Sequence, residues 1–208
     1  MARRGPAEHR RFHERMRRGA ARDGPGAPVS GERLRVLVTW ASKHGSTTEI
    51  AAAVARGLQE CDAGRASGLV VRTAPVTQSP DPTEFDAVVL GSAVYVGRWR
   101  EDARHYAAEH AAVLHRRPVW LFSSGPIGAP PFPADEPYDA EPVSQLVTAR
   151  GHRVFPGRLD KKLLTFGERA MVTAMRAPVG DSRDWDAVAS WAEEIATALS
   201  LERTGLRA

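Results

Sequence analysis

Of the 208 residues only one is cysteine, Cys61, which excludes an internal disulfide and a multi-cysteine metal site. A lone thiol suits a reducing compartment. Long apolar runs are also missing, since none approaches the roughly 20 residues of a membrane span. The opening MARRGPAEHRRFHERMRR is charged but leads into no apolar segment, so it does not read as a secretory signal. Nothing in this basic leader interleaves aromatics with cations as a nucleic-acid platform requires. Lysine is scarce, at three residues against 26 arginines, a compositional bias that lowers the weight of any single arginine. These absences lead us to expect a cytoplasmic protein without a nucleic-acid partner. Membrane contact is expected to be at most peripheral, at the inner face.

The charge that is present is unevenly placed. The formal net charge is +4, yet residues 1–33 hold nine arginines against four acids, and the rest balances 20 bases against 21 acids. Residues 1–32 are rich in Arg, Gly, Pro and Ala without an apolar period. They are expected to form a disordered basic extension, with at most a short helix over 7–19, ahead of one domain spanning 33–202. A solvated tail is the plain account of this extension, and weak contact with an anionic surface is the other.

From Leu34 the pattern changes to strands alternating with helices. LRVLVT, GLVVRTAPV, FDAVVLGSAV, RPVWLFSSG and HRVFPG read as five strands, the third ending at Gly91 and Ser92. Residues 47–61, 100–115, 142–150, 160–177 and 184–201 read as helical. Trp185, Val188, Ala192, Ile195 and Leu199 make one apolar face on the last of these. Alternation of this kind implies an α/β fold with parallel strands and right-handed crossovers. Strands apolar throughout imply a sheet covered on both faces, with ligands beyond the carboxyl ends of the strands.

Three loops of small residues stand at those ends. The first, ASKHGSTTE, is neither a Walker loop nor a dinucleotide fingerprint. It offers Ser42, Ser46, Thr47 and Thr48, with Gly45, immediately before a helix. The unpaired N–H groups of a helix start suit a phosphate, and Gly45 permits close backbone approach or positive φ. Helix capping by Ser46 or Thr47, with Glu49 reaching back, is the competing account. One cap needs one hydroxyl, however, and this loop has four. The second loop, GSAVYVGRW, sets Tyr95 between Gly91 and Gly97, a wall suited to a flat aromatic ligand. Covering of the sheet by Tyr95 and Trp99 is the alternative. The third, SSGPIG, exposes backbone groups that suit a polar ring edge, or simply turns the chain. Together the three describe a phosphate pocket beside a flat, polar-edged ring, and flavin mononucleotide (FMN) fits that description.

The S-x-x-G-x-T pattern at Ser42, Gly45 and Thr47 resembles the phosphate loop of flavodoxins. VLGSAVYVGRWRED, VWLFSSGPIG, HRVFPGRLD and GDSRDWDAVASWAEEIA extend the resemblance to the flavodoxin-domain family over about residues 34–200. Within it they resemble the menaquinone-dependent protoporphyrinogen IX dehydrogenase branch. F-x-G-x-L-D at 155–160 and D-W-D at 184–186 strengthen that likeness. The resemblance implies a flavodoxin-like three-layer fold with a five-stranded parallel sheet, order 2-1-3-4-5, and non-covalent FMN. By position, Ser42, Lys43, His44, Gly45, Ser46 and Thr47 would wrap the phosphate. Ala93, Val94, Tyr95, Val96 and Gly97 would line one side of the ring system, and Ser123, Ser124, Gly125, Pro126, Ile127 and Gly128 would border the other. Lys43 would help balance the phosphate charge, whereas His44 reads as a solvated loop residue rather than a proton donor.

Two segments depart from that likeness. Residues 126–142 are proline-rich and acidic, without the basic amphipathic character expected of a quinone- or membrane-contacting insert. Residues 161–178 are amphipathic, with Leu163, Leu164, Phe166, Ala170, Met171 and Met175 apolar. They read either as a helix packed on the domain or as a lid or docking face beside the flavin. The expected function is an FMN-dependent oxidoreductase acting on a small-molecule redox substrate, a porphyrinogen among the candidates, with a quinone or another electron acceptor. The alternatives are an electron-carrier flavodoxin, disfavoured because the domain lacks a strongly acidic face, and a flavodoxin fold that has lost FMN and binds a partner.

Overall fold

Val36, Leu37, Val38, Thr39, Trp40 and Ala41 follow one another without an exposed position, and a run this apolar is stable only as a strand covered on both faces. It forms β1 (Arg35–Ala41) of a computed structural model that describes residues 33–125, 140–174 and 176–205. The basic extension 1–32, the proline-rich residues 126–139 and Met175 lie outside the described residues, as do the expectations placed on them. Among the described residues the chain continues through α1 (Ser46–Glu60), α2 (Asp62–Ser67), β2 (Val70–Pro75) and β3 (Ala87–Tyr95). Next come β4 (Arg98–Trp99), α3 (Glu101–Glu109), α4 (Ala111–Leu114), β5 (Val119–Ser124), α5 (Ala140–Val147) and β6 (Gly151–Phe155). The last elements are β7 (Arg158–Leu159), α6 (Phe166–Ala174), β8 (Gly180–Asp181) and α7 (Trp185–Arg203).

The five long strands are parallel, in the order β2-β1-β3-β5-β6. With the short β4 set aside, this is the predicted 2-1-3-4-5. Successive residues of each central strand point to opposite layers. Val36, Val38, Val89 and Phe122 pack with Ile50, Val54 and Leu58 of α1 and Trp191, Ile195 and Leu199 of α7. Leu37, Val88, Leu90 and Leu121 pack on the other face with Tyr106 of α3, Leu114 of α4 and Val143 of α5. Each such aliphatic side chain contributes roughly 1.5–3 kcal/mol on burial. Helices α1 and α7 meet closely because Gly57 has no side chain: a Cβ there would lie 2.7 Å from that of Ala192.

Several expectations about the elements are revised. The helix expected over 100–115 breaks at His110 into α3 and α4. The third strand does not end at Ser92 but runs on to Tyr95 and turns back into β4. On α7, Asp184 caps the helix by accepting the Ala187 N–H at 2.9 Å. Trp185 there is not part of the buried stripe; it lies half-exposed with the Arg183 guanidinium 4.5 Å from its ring centre, and Trp191 fills the core instead.

Strand register sets the ends side by side. Ala41 of β1 pairs with Ser92 of β3, Ser92 with Ser123 of β5, and Ala93 with Ser124. The loops leaving β1, β3 and β5 therefore emerge along one edge of the sheet, where a doubly wound fold receives its ligands.

Candidate functional site

The first loop is built by β1 and α1. Gly45 precedes the helix with φ +87°, in the left-handed region, and its position has open space where a Cβ would stand. Among the described residues no side chain caps α1. Glu49 does not reach back to the helix start; its carboxylate meets Arg158 at 2.9 Å and Arg183 at 2.6 Å. The capping account therefore fails, and the hydroxyls are occupied differently. Ser42 Oγ accepts the Gly45 N–H at 3.2 Å, which shapes the turn. Ser46 Oγ accepts the Arg158 N–H at 3.1 Å, and Thr48 Oγ1 accepts from Trp40 Nε1 at 2.9 Å. Thr47 is the exception. It is 1% exposed, and its Oγ1 has no hydrogen-bond partner among the described residues. A buried hydroxyl without a partner costs on the order of 1–3 kcal/mol, so such groups call for an explanation.

The second wall is a hairpin. Val94 pairs with Trp99 and Tyr95 with Arg98, leaving Val96 and Gly97 as a two-residue turn with φ +50° and +71°. Positive φ at both central positions is the geometry of a primed hairpin turn, where Asn-Gly is the favoured pair. Val96 is β-branched, 79% exposed and strained in this conformation. The hairpin is anchored from below. Trp99 Nε1 donates to Ser123 Oγ at 2.7 Å, and that oxygen lies 2.8 Å from His152 Nε2. Ser92 Oγ accepts the Arg100 N–H at 2.9 Å.

The third loop meets the second. Ser123 and Ser124 are buried at the end of β5, so Ser123 fixes the hairpin through its hydroxyl. A Cβ at Gly125 would come within 2.7 Å of Val94 Cβ, so glycine lets these two turns touch. Gly91 has a comparable packing role, because a Cβ there would overlap the Phe122 ring. Pro126, Ile127 and Gly128 lie outside the described residues.

A further participant comes from α6. Glu168 Oε1 accepts from Lys43 Nζ at 2.7 Å and lies 3.1 Å from His44 Nε2. Its other oxygen accepts the N–H and hydroxyl of Thr165, both at 2.8 Å. The Lys43 hydrogen bond, then that of the Thr165 N–H, holds the Glu168 carboxyl far below the usual carboxylate range. His44 is therefore a partnered group, its side chain 17% exposed, and not the solvated loop residue expected. Its ring meets Tyr95 edge-on with centres 6.1 Å apart, and Lys43 Nζ lies 5.7 Å from the Tyr95 ring centre. Burial, with the Glu168 charge adding, pushes the Tyr95 phenol up to about 12, so it is neutral at physiological pH.

The amphipathic segment around α6 is not a packed helix. No residue of α6 is buried; Phe166 is 90% exposed and Met171 half-exposed, while Leu164 just before it is covered. Glu168 had no signal in the sequence, because a single acid on a helix 124 positions from His44 belongs to no local pattern.

The sheet order, with three loops on its carboxyl edge, defines a flavodoxin-like α/β protein. The chain belongs to the flavodoxin-domain family, whose sequence profile matches residues 37–186. No curated protein matches it in sequence. A flavodoxin from the domain Archaea aligns over 78% of this chain and 96% of its own, at 12% identity and a TM-score of 0.53. Rubredoxin oxygen:oxidoreductase from Desulfovibrio gigas aligns over 81% of this chain, at 12% identity and a TM-score of 0.52. The flavodiiron protein from Giardia intestinalis aligns over 83%, at 13% identity and a TM-score of 0.50. This chain spans only 37% and 36% of those two longer proteins. At such identities these likenesses establish the fold alone. Among the described residues no helix is long and apolar enough to cross a membrane.

Proposed function

We propose that the chain binds FMN at this edge and is an oxidoreductase, passing electrons from a small organic substrate to a quinone or another acceptor. The finer reading is an enzyme of the menaquinone-dependent protoporphyrinogen IX dehydrogenase type, which rests on the sequence likeness around 155–160 and 184–186. One observation carries the FMN assignment: the buried Thr47 hydroxyl, unpartnered at the start of the 15-residue helix α1, next to a left-handed Gly45. The donor set fits a phosphate, since short hydroxyls and helix-start N–H groups are neutral donors that an anion attracts. FMN, when bound, supplies the two-electron chemistry.

The protein's own residues would do the holding. Ser42 to Thr47 supply donors to the phosphate, with Lys43 as the nearby cation. Ala93 to Gly97 form a wall stiffened by the Trp99–Ser123 hydrogen bond and by Gly125 packed on Val94. Tyr95 offers a neutral aromatic face. The exposed Val96 and Phe166 add apolar surface of the kind a hydrophobic organic substrate prefers.

The test is the visible spectrum of the purified protein before and after adding FMN, followed by a donor and acceptor screen read by flavin bleaching. Flavin bands and bleaching by an organic donor are expected. Absence of bands together with absence of binding would remove the assignment. Binding without turnover of any organic donor would identify an electron carrier.

A further inference from the structure

The Glu168 carboxylate reaches the phosphate loop from α6, which has no buried residue to hold it there. Among the described residues, the side-chain hydrogen bonds that join α6 to the body of the domain run through Glu168 to Lys43 and His44. Arg169, by contrast, bonds the carbonyls of Leu164 and Lys162 in its own segment. The Thr165 N–H and hydroxyl steady the carboxylate from behind. Lys43 is the sole lysine or arginine among residues 42–47, and His44 adds a second positive charge when protonated. Both are tied to one acid.

On the FMN reading proposed above, we infer that Glu168 is a specificity-setting residue, which competes with the phosphate of the flavin for Lys43 and His44. A phosphate brings up to two negative charges to a loop whose cation is already paired with a carboxylate. To gain Lys43 it must share that cation with Glu168 or displace it, and two anions on one ammonium repel. The carboxylate therefore lowers affinity for phosphorylated flavin without touching the ring. It sets the preference for FMN over riboflavin, which has the same ring and no phosphate. Linkage requires the reverse effect as well: whatever the phosphate takes from Lys43 and His44 is lost to the latch that holds α6. Phosphate binding therefore loosens α6 and its exposed Phe166 and Met171, whereas riboflavin leaves α6 in place.

Glu168→Gln keeps the shape and removes the charge. Apoprotein and variant are titrated with FMN and with riboflavin by flavin fluorescence, and hydrogen exchange of residues 165–174 is followed with each. The variant is expected to bind FMN roughly two- to fivefold more tightly, on the scale of a partly exposed charge pair, with riboflavin unchanged. FMN should speed exchange in α6 of the natural protein, and riboflavin should not. Equal or weaker FMN binding by the variant would overturn the inference. So would a shift of the same size for both flavins, which would make Glu168 a lid residue only, or α6 protected by FMN. Lys43→Met, which removes the contested cation, should abolish the effect of Glu168→Gln; a full effect on that background also overturns it. If the natural protein binds no FMN, the FMN reading and this inference fall together. If it binds FMN and the variant shows no phosphate-specific gain, only this inference falls.

Discussion

At the scale of single residues, Thr47 carries the most information. Its hydroxyl is buried and unpartnered, so Thr47→Val removes an unsatisfied group at nearly constant volume. Apoprotein stability should be unchanged or higher by about 1 kcal/mol, while FMN affinity falls roughly tenfold and riboflavin affinity holds. Thermal melts paired with flavin titrations check this. A loss of apoprotein stability would mean that the hydroxyl serves the fold. Gly45→Ala should cost roughly 1–2 kcal/mol in chemical denaturation, because the space is open and only the left-handed φ is at stake. Much at this scale was legible in the sequence. A glycine among four hydroxyls before an apolar period announces a loop and a helix start. Which hydroxyls are engaged was not legible, because their partners Arg158 and Trp40 are set by the fold. Glu168 was hidden for the same reason.

At the scale of elements, the hairpin after β3 and helix α6 behave unlike regular structure. Val96 is a β-branched residue at φ +50° on an exposed tip. Val96→Asn creates the pair favoured in such turns and should raise stability by about 1 kcal/mol, read as a higher melting temperature. Unchanged melting would show that the turn relaxes the strain elsewhere. The latch of α6 has a defined pH dependence. The folded Glu168 carboxyl is lowered from its ordinary 4.5, so its contribution is present above that pH and lost as pH falls below it. The melting difference between the natural protein and Glu168→Gln, worth about 1 kcal/mol or less, should therefore close as pH drops below about 4.5. Long strands and helices were readable because their periods run for several residues. The turn was not, because valine is not a turn residue, and β7 and β8 are too short, at two residues each, to show any period. The stripe on α6 left packing and a lid or docking face both open, and it faces solvent: period alone does not say whether a partner surface exists.

At the scale of the molecule, two apolar layers flank one parallel sheet, whose carboxyl edge carries the candidate site. Trp191 of α7 forms an aromatic cluster with Phe122 of β5 and Phe155 of β6, with Phe155 and Trp191 centred 5.4 Å apart. Trp191→Ala should cost roughly 3–5 kcal/mol in denaturant unfolding and weaken FMN binding only through loss of folded protein. A ligand that binds the folded state alone stabilises it by mass action, so saturating FMN should raise the melting temperature in proportion to its affinity. Layering followed from the alternation of apolar strands and amphipathic helices, whereas the sheet order came from the family resemblance, because right-handed crossovers leave more than one doubly wound order open. The measurement that bears most directly on the whole account is calorimetric titration of the apoprotein with FMN and, separately, riboflavin. One FMN site per chain is predicted, with riboflavin bound at least about tenfold more weakly for want of the phosphate contacts. Absence of FMN binding, or equal affinity for the two flavins, would contradict it.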